Sequence, residues 1–139
     1  MVFTKVDDGY MVRFEKDELI VSILTQFCID KRIHSGVVSG VGGALWAELA
    51  FYDLEQRAYE YEKHDELLEI TNISGNVALV ADKPAVHLHA TMADSNYHSY
   101  GGHLKEAAVA GTCEVYIRTF SKPLKRTHNE AVGLKVLDI

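Results

Sequence analysis

Three of the seven histidines carry the clearest chemical potential in this sequence. Val86-His87-Leu88-His89 sets two imidazoles two positions apart, and His103 follows fourteen positions later within Tyr100-Gly101-Gly102-His103-Leu104. On an extended segment, residues two apart project from one face, roughly 7 Å from each other along the chain. A hairpin turn through Asp94, Ser95 and Asn96 would bring the following segment back alongside. The two glycines would then let the backbone come close enough for His103 to complete a facial set. Three neutral imidazoles at about 2.0–2.1 Å suit Zn²⁺ and leave a fourth position for water or a ligand. That is the pattern of a reactive centre more than of a closed structural one. His98 is a rival third ligand, although Tyr97 and Ser99 place it beside the expected turn. The alternative use of His87 and His89 is as surface or hydrogen-bonded core residues. His34, His64 and His128 have no partner at ligand spacing.

Two further features border on chemistry. Glu69 lies in Leu67-Leu68-Glu69-Ile70-Thr71, flanked by apolar residues. On a central strand it needs a partner or takes up a proton, which would suit a general acid/base beside a metal; on an edge strand it simply faces solvent. Ser39-Gly40-Val41-Gly42-Gly43-Ala44 is dense enough in glycine to turn sharply or approach a ligand. It is neither a dinucleotide fingerprint nor a P-loop, and a bend packed against another strand or subunit explains it more simply than phosphate binding. No local context marks a Ser-His-Asp or Cys-His nucleophile.

The elements that must position these residues follow from apolar periodicity. Over 17–31, Ile20, Ile23, Leu24, Phe27 and Cys28 fall on one helical face, with Asp17 as the N-cap and Lys31 and Arg32 suited to the C-terminal dipole. Segments 10–14, 35–41, 67–73, 76–81, 85–92 and 112–120 are rich in strand-forming residues and separated by Gly, Asp, Asn or Pro. Segment 44–52 is ambiguous: Ala-Leu-Trp-Ala-Glu-Leu-Ala contains good helix formers, yet it follows a glycine cluster and ends in Phe-Tyr-Asp. One helix against at least six strands predicts an α+β fold, with the helix packed on a mainly antiparallel sheet.

A length of 139 residues with 47% hydrophobic and 24% charged residues points to a single domain over 1–139 and excludes disordered or collagen-like chains. There is no apolar run of about 18 residues and no signal-peptide pattern, so the expected location is cytoplasmic. Cys28 and Cys113 stand far apart and read as reduced core thiols. Fourteen basic against twenty acidic side chains give a formal charge of −6, which disfavours non-specific nucleic-acid binding. The best basic cluster is small: Arg118, Lys122, Lys125 and Arg126.

The ordered series Val38-Ser39-Gly40-Val41-Gly42, Phe51-Tyr52-Asp53, Leu68-Glu69-Ile70, Ser74-Gly75-Asn76, Lys83-Pro84, His87-x-His89 and Gly101-Gly102-His103-Leu104 resembles the PPC (plants and prokaryotes conserved) domain family across nearly the whole chain. Its stand-alone prokaryotic members are often labelled predicted DNA-binding proteins. The resemblance implies a homotrimer, makes 44–52 a strand, and places zinc on His87, His89 and His103. It also implies DNA as a partner, although plant relatives use separate AT-hook segments built on Arg-Gly-Arg-Pro, and none occurs here. The fold is similar to that of acetolactate decarboxylase, which also uses three histidines on zinc. Three functions follow as expectations. The first is a zinc-binding homotrimer that binds or converts a small anionic or carbonyl ligand, with lyase or hydrolase chemistry and Glu69 or another nearby acid relaying protons. The second is a DNA-associated regulatory module, and the third an assembly platform in which zinc only stabilises.

Overall fold

A computed structural model describes residues 1–139. The chain order is β1 (Val2–Val6), β2 (Gly9–Glu15), α1 (Ile20–Asp30), β3 (Gly36–Asp53), β4 (Ala58–His64), β5 (Leu68–Val80), β6 (Lys83–Ala93), β7 (Ser99–Thr119), β8 (Arg126–Asn129) and β9 (Leu134–Leu137). Seven strands form one antiparallel sheet in the order β1-β2-β7-β6-β5-β3-β4, and β7 additionally pairs with β3. That extra pairing closes the circuit β3–β5–β6–β7 back onto β3, so the central strands wrap around one another. Strands β8 and β9 form a separate two-stranded hairpin. This is the α+β architecture expected, with one helix lying against β6 and β7. No helix is long and apolar enough to cross a membrane.

Burial follows the side-chain pattern. The helix turns Ile20, Leu24, Phe27 and Cys28 inward onto Phe14, Ile73, Leu88, Met92, Leu104 and Ile117 of the sheet. Phe27 also meets Tyr10 and Phe3 edge-on, at ring-centroid distances of 5.3 and 5.0 Å, which fastens the helix to the β1–β2 ribbon. Cys28 and Cys113 are fully buried, unpaired thiols, each pushed up to about 12 by burial, and therefore inert.

Two expectations about elements change, and a third, left open by propensity, resolves as the family resemblance implies. The helix begins at Ile20, not at 17, and Asp17 does not cap it. Asp17 adopts φ 70°, and its backbone N–H donates to Val109 O. The capping acceptor comes from the sheet: Glu106 of β7 accepts from the backbone N–H groups of Val21 (2.7 Å) and Ser22 (3.0 Å) and from the Ser22 hydroxyl (2.6 Å). Secondly, 67–73 and 76–81 are one strand, β5, which runs through Ser74-Gly75-Asn76 without a break. Thirdly, the ambiguous 44–52 belongs to β3, where Ala44, Ala47, Leu49 and Ala50 are buried between flanking strands. Tertiary burial overrides helix propensity there.

Removing the Glu106 carboxylate leaves two helix N–H groups without acceptors. Glu106→Ala should therefore lower unfolding free energy by about 2 kcal/mol, the upper end for lost N-caps. Chemical denaturation tests this, and a change within ~0.5 kcal/mol would show that water replaces the cap at no cost.

Candidate metal centre

His87 and His89 stand on β6 and His103 on β7, and the hairpin through Asp94–Asn96 pairs His89 directly with His103. The turn is held by Asp94, whose carboxylate accepts from the backbone N–H groups of Asn96 (2.8 Å) and His98 (2.9 Å) and from the Tyr100 hydroxyl (3.2 Å). Glycine is required behind the site at two places. A Cβ on Gly75 would lie 2.0 Å from the His87 carbonyl oxygen, and one on Gly102 would lie 2.9 Å from that of Ala50. These close approaches bring β5 against His87 and β3 against His103.

The three rings converge. Their centroids are 5.3 Å (His87–His89), 5.1 Å (His87–His103) and 5.6 Å (His89–His103) apart, and one ring nitrogen from each falls within 4.8 Å of the others. Tetrahedral coordination at about 2.05 Å needs nitrogens roughly 3.4 Å apart. Small side-chain rotations would close the set around one ion. His103 Nδ1 is buried with no hydrogen-bond partner within the chain, so no protein donor or acceptor competes for it.

The rings border an open cleft of about 650 Å³ whose other walls include Tyr59, Tyr61, Tyr100, His64 and Leu134. Tyr59 lies over His103 with centroids 5.0 Å apart, and Tyr100 lies over His64 at 4.4 Å. Glu60 and Glu62 stand exposed at the cleft on β4.

Burial pushes the His87 pKa down to about 4, helped by the Arg126 charge and then by His103 and His89. Burial also lowers that of His103, followed by His89 and Lys105. Both shifts favour the neutral ring that a metal requires. They also fix a sign. The unfolded chain takes up a proton at His87 near pH 6.5 whereas the fold resists until about 4, so the metal-free fold loses stability as pH falls through that window. Thermal midpoints of metal-free protein between pH 7 and 4 should show this slope. His87→Gln, which keeps an acceptor for Arg126, should flatten it; an unchanged slope would locate the titration elsewhere.

The other sequence candidates are dispersed. His98 is 73% exposed at the hairpin, paired with Asp94 rather than with the other rings. Glu69 does not join the histidines within one chain. It is exposed near the start of β5, paired with Ala93 and Gly43, five positions from the residue opposite His89 and so on the order of 15 Å away along the strand. There it borders a separate cleft with Gly42, Gly43, Gly111 and Thr112. The glycine cluster of β3 is a bulged strand packed tightly on β7, with Cβ positions on Gly40 and Gly42 blocked by the backbone of Glu114 and Cys113. The basic cluster is mostly engaged: Arg118 pairs with Asp8 (2.6 Å), Lys125 pairs with Asp82 (3.0 Å), and Arg126 turns inward to His87. The sequence rightly leaves His64 out of the ligand set, but it does not place His64 and Tyr59 at the cleft or Arg126 against His87. Strand β4 carries the first two, and its alternation Tyr59-Glu60-Tyr61-Glu62 was the available signal.

A closed, mainly antiparallel sheet with one packed helix and a three-histidine cluster in an open cleft defines a small α+β protein with a candidate metal centre. Residues 1–121 match the Plants and Prokaryotes Conserved (PCC) domain, and the chain belongs to that family. The chain is similar to a candidate DNA-binding protein from Bacteroides thetaiotaomicron, 31% identical, with 99% of this chain and 96% of that one covered and a TM-score of 0.95. It is also similar to a metal-containing protein from Archaeoglobus fulgidus, 28% identical, with 100% and 99% covered and a TM-score of 0.88. α-Acetolactate decarboxylase from Bacillus subtilis shares the fold alone: 12% identity, 79% of this chain and 51% of that one, TM-score 0.57. No curated protein matches the sequence.

Proposed function

We propose that the protein is a homotrimeric zinc-binding protein in which His87, His89 and His103 hold the ion and one coordination position stays open to a small anionic or carbonyl ligand. The observation that supports this is the convergence of three ring nitrogens within 4.8 Å on an open cleft. The buried, unpartnered Nδ1 of His103 fits such an ion, and imidazole nitrogen is a preferred donor for zinc. The metal-containing Archaeoglobus relative supports the same reading. Zinc, when bound, polarises a ligand oxygen or lowers the pKa of a water. The chain's own residues do the rest: Tyr59 braces His103, and the packed pair Tyr100 and His64 lines the same cleft. Within one chain Glu69 is too distant to relay protons to this centre, so in this reading it serves a centre only across a subunit boundary. Exposed Val41 and Leu67, which border its cleft, offer apolar surface for such a contact.

Protein purified without chelator or affinity tag should carry close to one zinc per chain and sediment as a trimer. Failure to take up zinc supplied in excess would end the metal reading, and a monomer would end the assembly.

DNA association reaches this chain through the Bacteroides relative. The net charge of −6 and the pairing of Arg118 and Lys125 with acids leave little free positive surface for it. Duplex binding at about 50 mM salt that weakens steeply with added salt would favour it.

A further inference from the structure

The C-terminal hairpin, residues 126–137, lies beyond the family-matched 1–121 and yet reaches the histidines. Leu124 and Lys125 attach its base to the end of β5, Tyr52 donates its hydroxyl to Val132 O (2.9 Å), and Leu134 forms part of the cleft wall. Arg126 makes the decisive contacts. It donates through Nη1 to Lys135 O (2.9 Å) and through Nη2 to Asn76 Oδ1 (2.8 Å) and His87 Nδ1 (3.0 Å). No carboxylate pairs with it, and its Nε–H is buried without an acceptor.

A guanidinium can only donate, so His87 Nδ1 must be accepting and the ring proton of the neutral imidazole sits on Nε2. The single lone pair of that ring is then occupied. Ligation through Nε2 would move the proton to Nδ1, where it faces a donor; ligation through Nδ1 would displace Arg126 directly. Whichever nitrogen is used, the Arg126–His87 bond and coordination by a neutral His87 exclude each other. Building on the metal-centre reading, we infer that Arg126 is a positioning residue that competes with the metal for His87, so that metal loading removes one anchor of the C-terminal hairpin and loosens it on the cleft, while hairpin docking through Arg126 promotes metal release.

The test compares wild type with Arg126→Met, which keeps the apolar stem and removes the donor. Competitive zinc titration against a chromophoric chelator should show about tenfold tighter binding in the variant, the scale of one charge-assisted hydrogen bond. In metal-free protein, imidazole ¹⁵N shifts should report the Nε2–H tautomer at His87 in wild type and a mixture in the variant. In wild type, zinc should accelerate amide exchange across 126–137. Unchanged or weaker zinc binding in the variant overturns the competition while leaving the metal centre intact, because a stabilised imidazolate would give that result. If Arg126→Met does not fold, exchange in wild type decides, and slowed or unchanged exchange at the hairpin overturns the inference. Absence of zinc binding in both proteins removes the metal centre itself, and with it this competition.

Discussion

His103→Ala should abolish stoichiometric zinc binding, with affinity falling by at least ~10³-fold, while the metal-free protein keeps its stability. The two halves have separate physical causes. Removing one of three protein ligands leaves two imidazoles, too few for the coordination sets that hold zinc in proteins, and a lost ligand costs far more than the 10–100-fold typical of changing a residue that only hydrogen-bonds to a ligand. The folded state loses little in exchange. His103 is only partly buried and its Nδ1 has no hydrogen-bond partner, so truncation removes an unsatisfied polar atom, which offsets the loss of the ring contact with Tyr59. That substitution should be within ~1 kcal/mol of neutral. Zinc at a hundred times its Kd stabilises a folded site by about 2.7 kcal/mol, so wild type should melt higher with zinc and His103→Ala should not. His98→Ala, on the same hairpin but turned away to Asp94, should retain the zinc-dependent rise. Full zinc occupancy in His103→Ala, or loss of the thermal gain in both variants, would reject the three-histidine assignment.

What could be read in the sequence was what depends on near neighbours along the chain. The period of two places His87 and His89 on one face without reference to the rest of the fold, and Asp94-Ser95-Asn96 signals its own turn through side-chain bonds to the local backbone. Together they suffice to bring His103 opposite His89. The helix interior was legible for the same reason. Its first turn was not, because the acceptor that caps it arrives from Glu106 on β7. The Ala44–Tyr52 segment shows burial winning over propensity, and β4 was missed because its Tyr-Glu alternation is short and, on an edge strand, buries little, Tyr59 only partly while Tyr61 stays exposed. Arg126 was misread for a different reason. Charge counting along the chain groups it with Lys122 and Lys125 as surface, whereas only the folded hairpin reveals that it points inward to Asn76 and His87.

Gly75→Ala should be the most damaging single-methyl substitution near the site, costing about 4 kcal/mol or more and scrambling zinc binding in whatever folds. In the sequence this glycine looks like punctuation between two strands; in the fold it lies inside β5, opposite Leu88 and beside His87. An added Cβ would meet the His87 carbonyl oxygen at 2.0 Å, the carbonyl carbon at 2.9 Å and Leu88 Cα at 3.0 Å. All three are backbone atoms of β6, so no rotamer change relieves the overlap. The strands must separate locally, which breaks ladder hydrogen bonds and displaces Leu88 from the core. Overpacking ordinarily costs 1–3 kcal/mol because side chains yield, and backbone that cannot yield places this case above that range. A contrast comes from Gly111, where an added Cβ meets nothing within 4 Å. Gly111→Ala should fold and bind zinc as wild type does. Urea denaturation of the two variants, with zinc titration of each, separates a steric requirement at one position from a general intolerance of glycine replacement. Equal stabilities would mean that β5 and β6 can part at Gly75 without consequence for the histidines they carry.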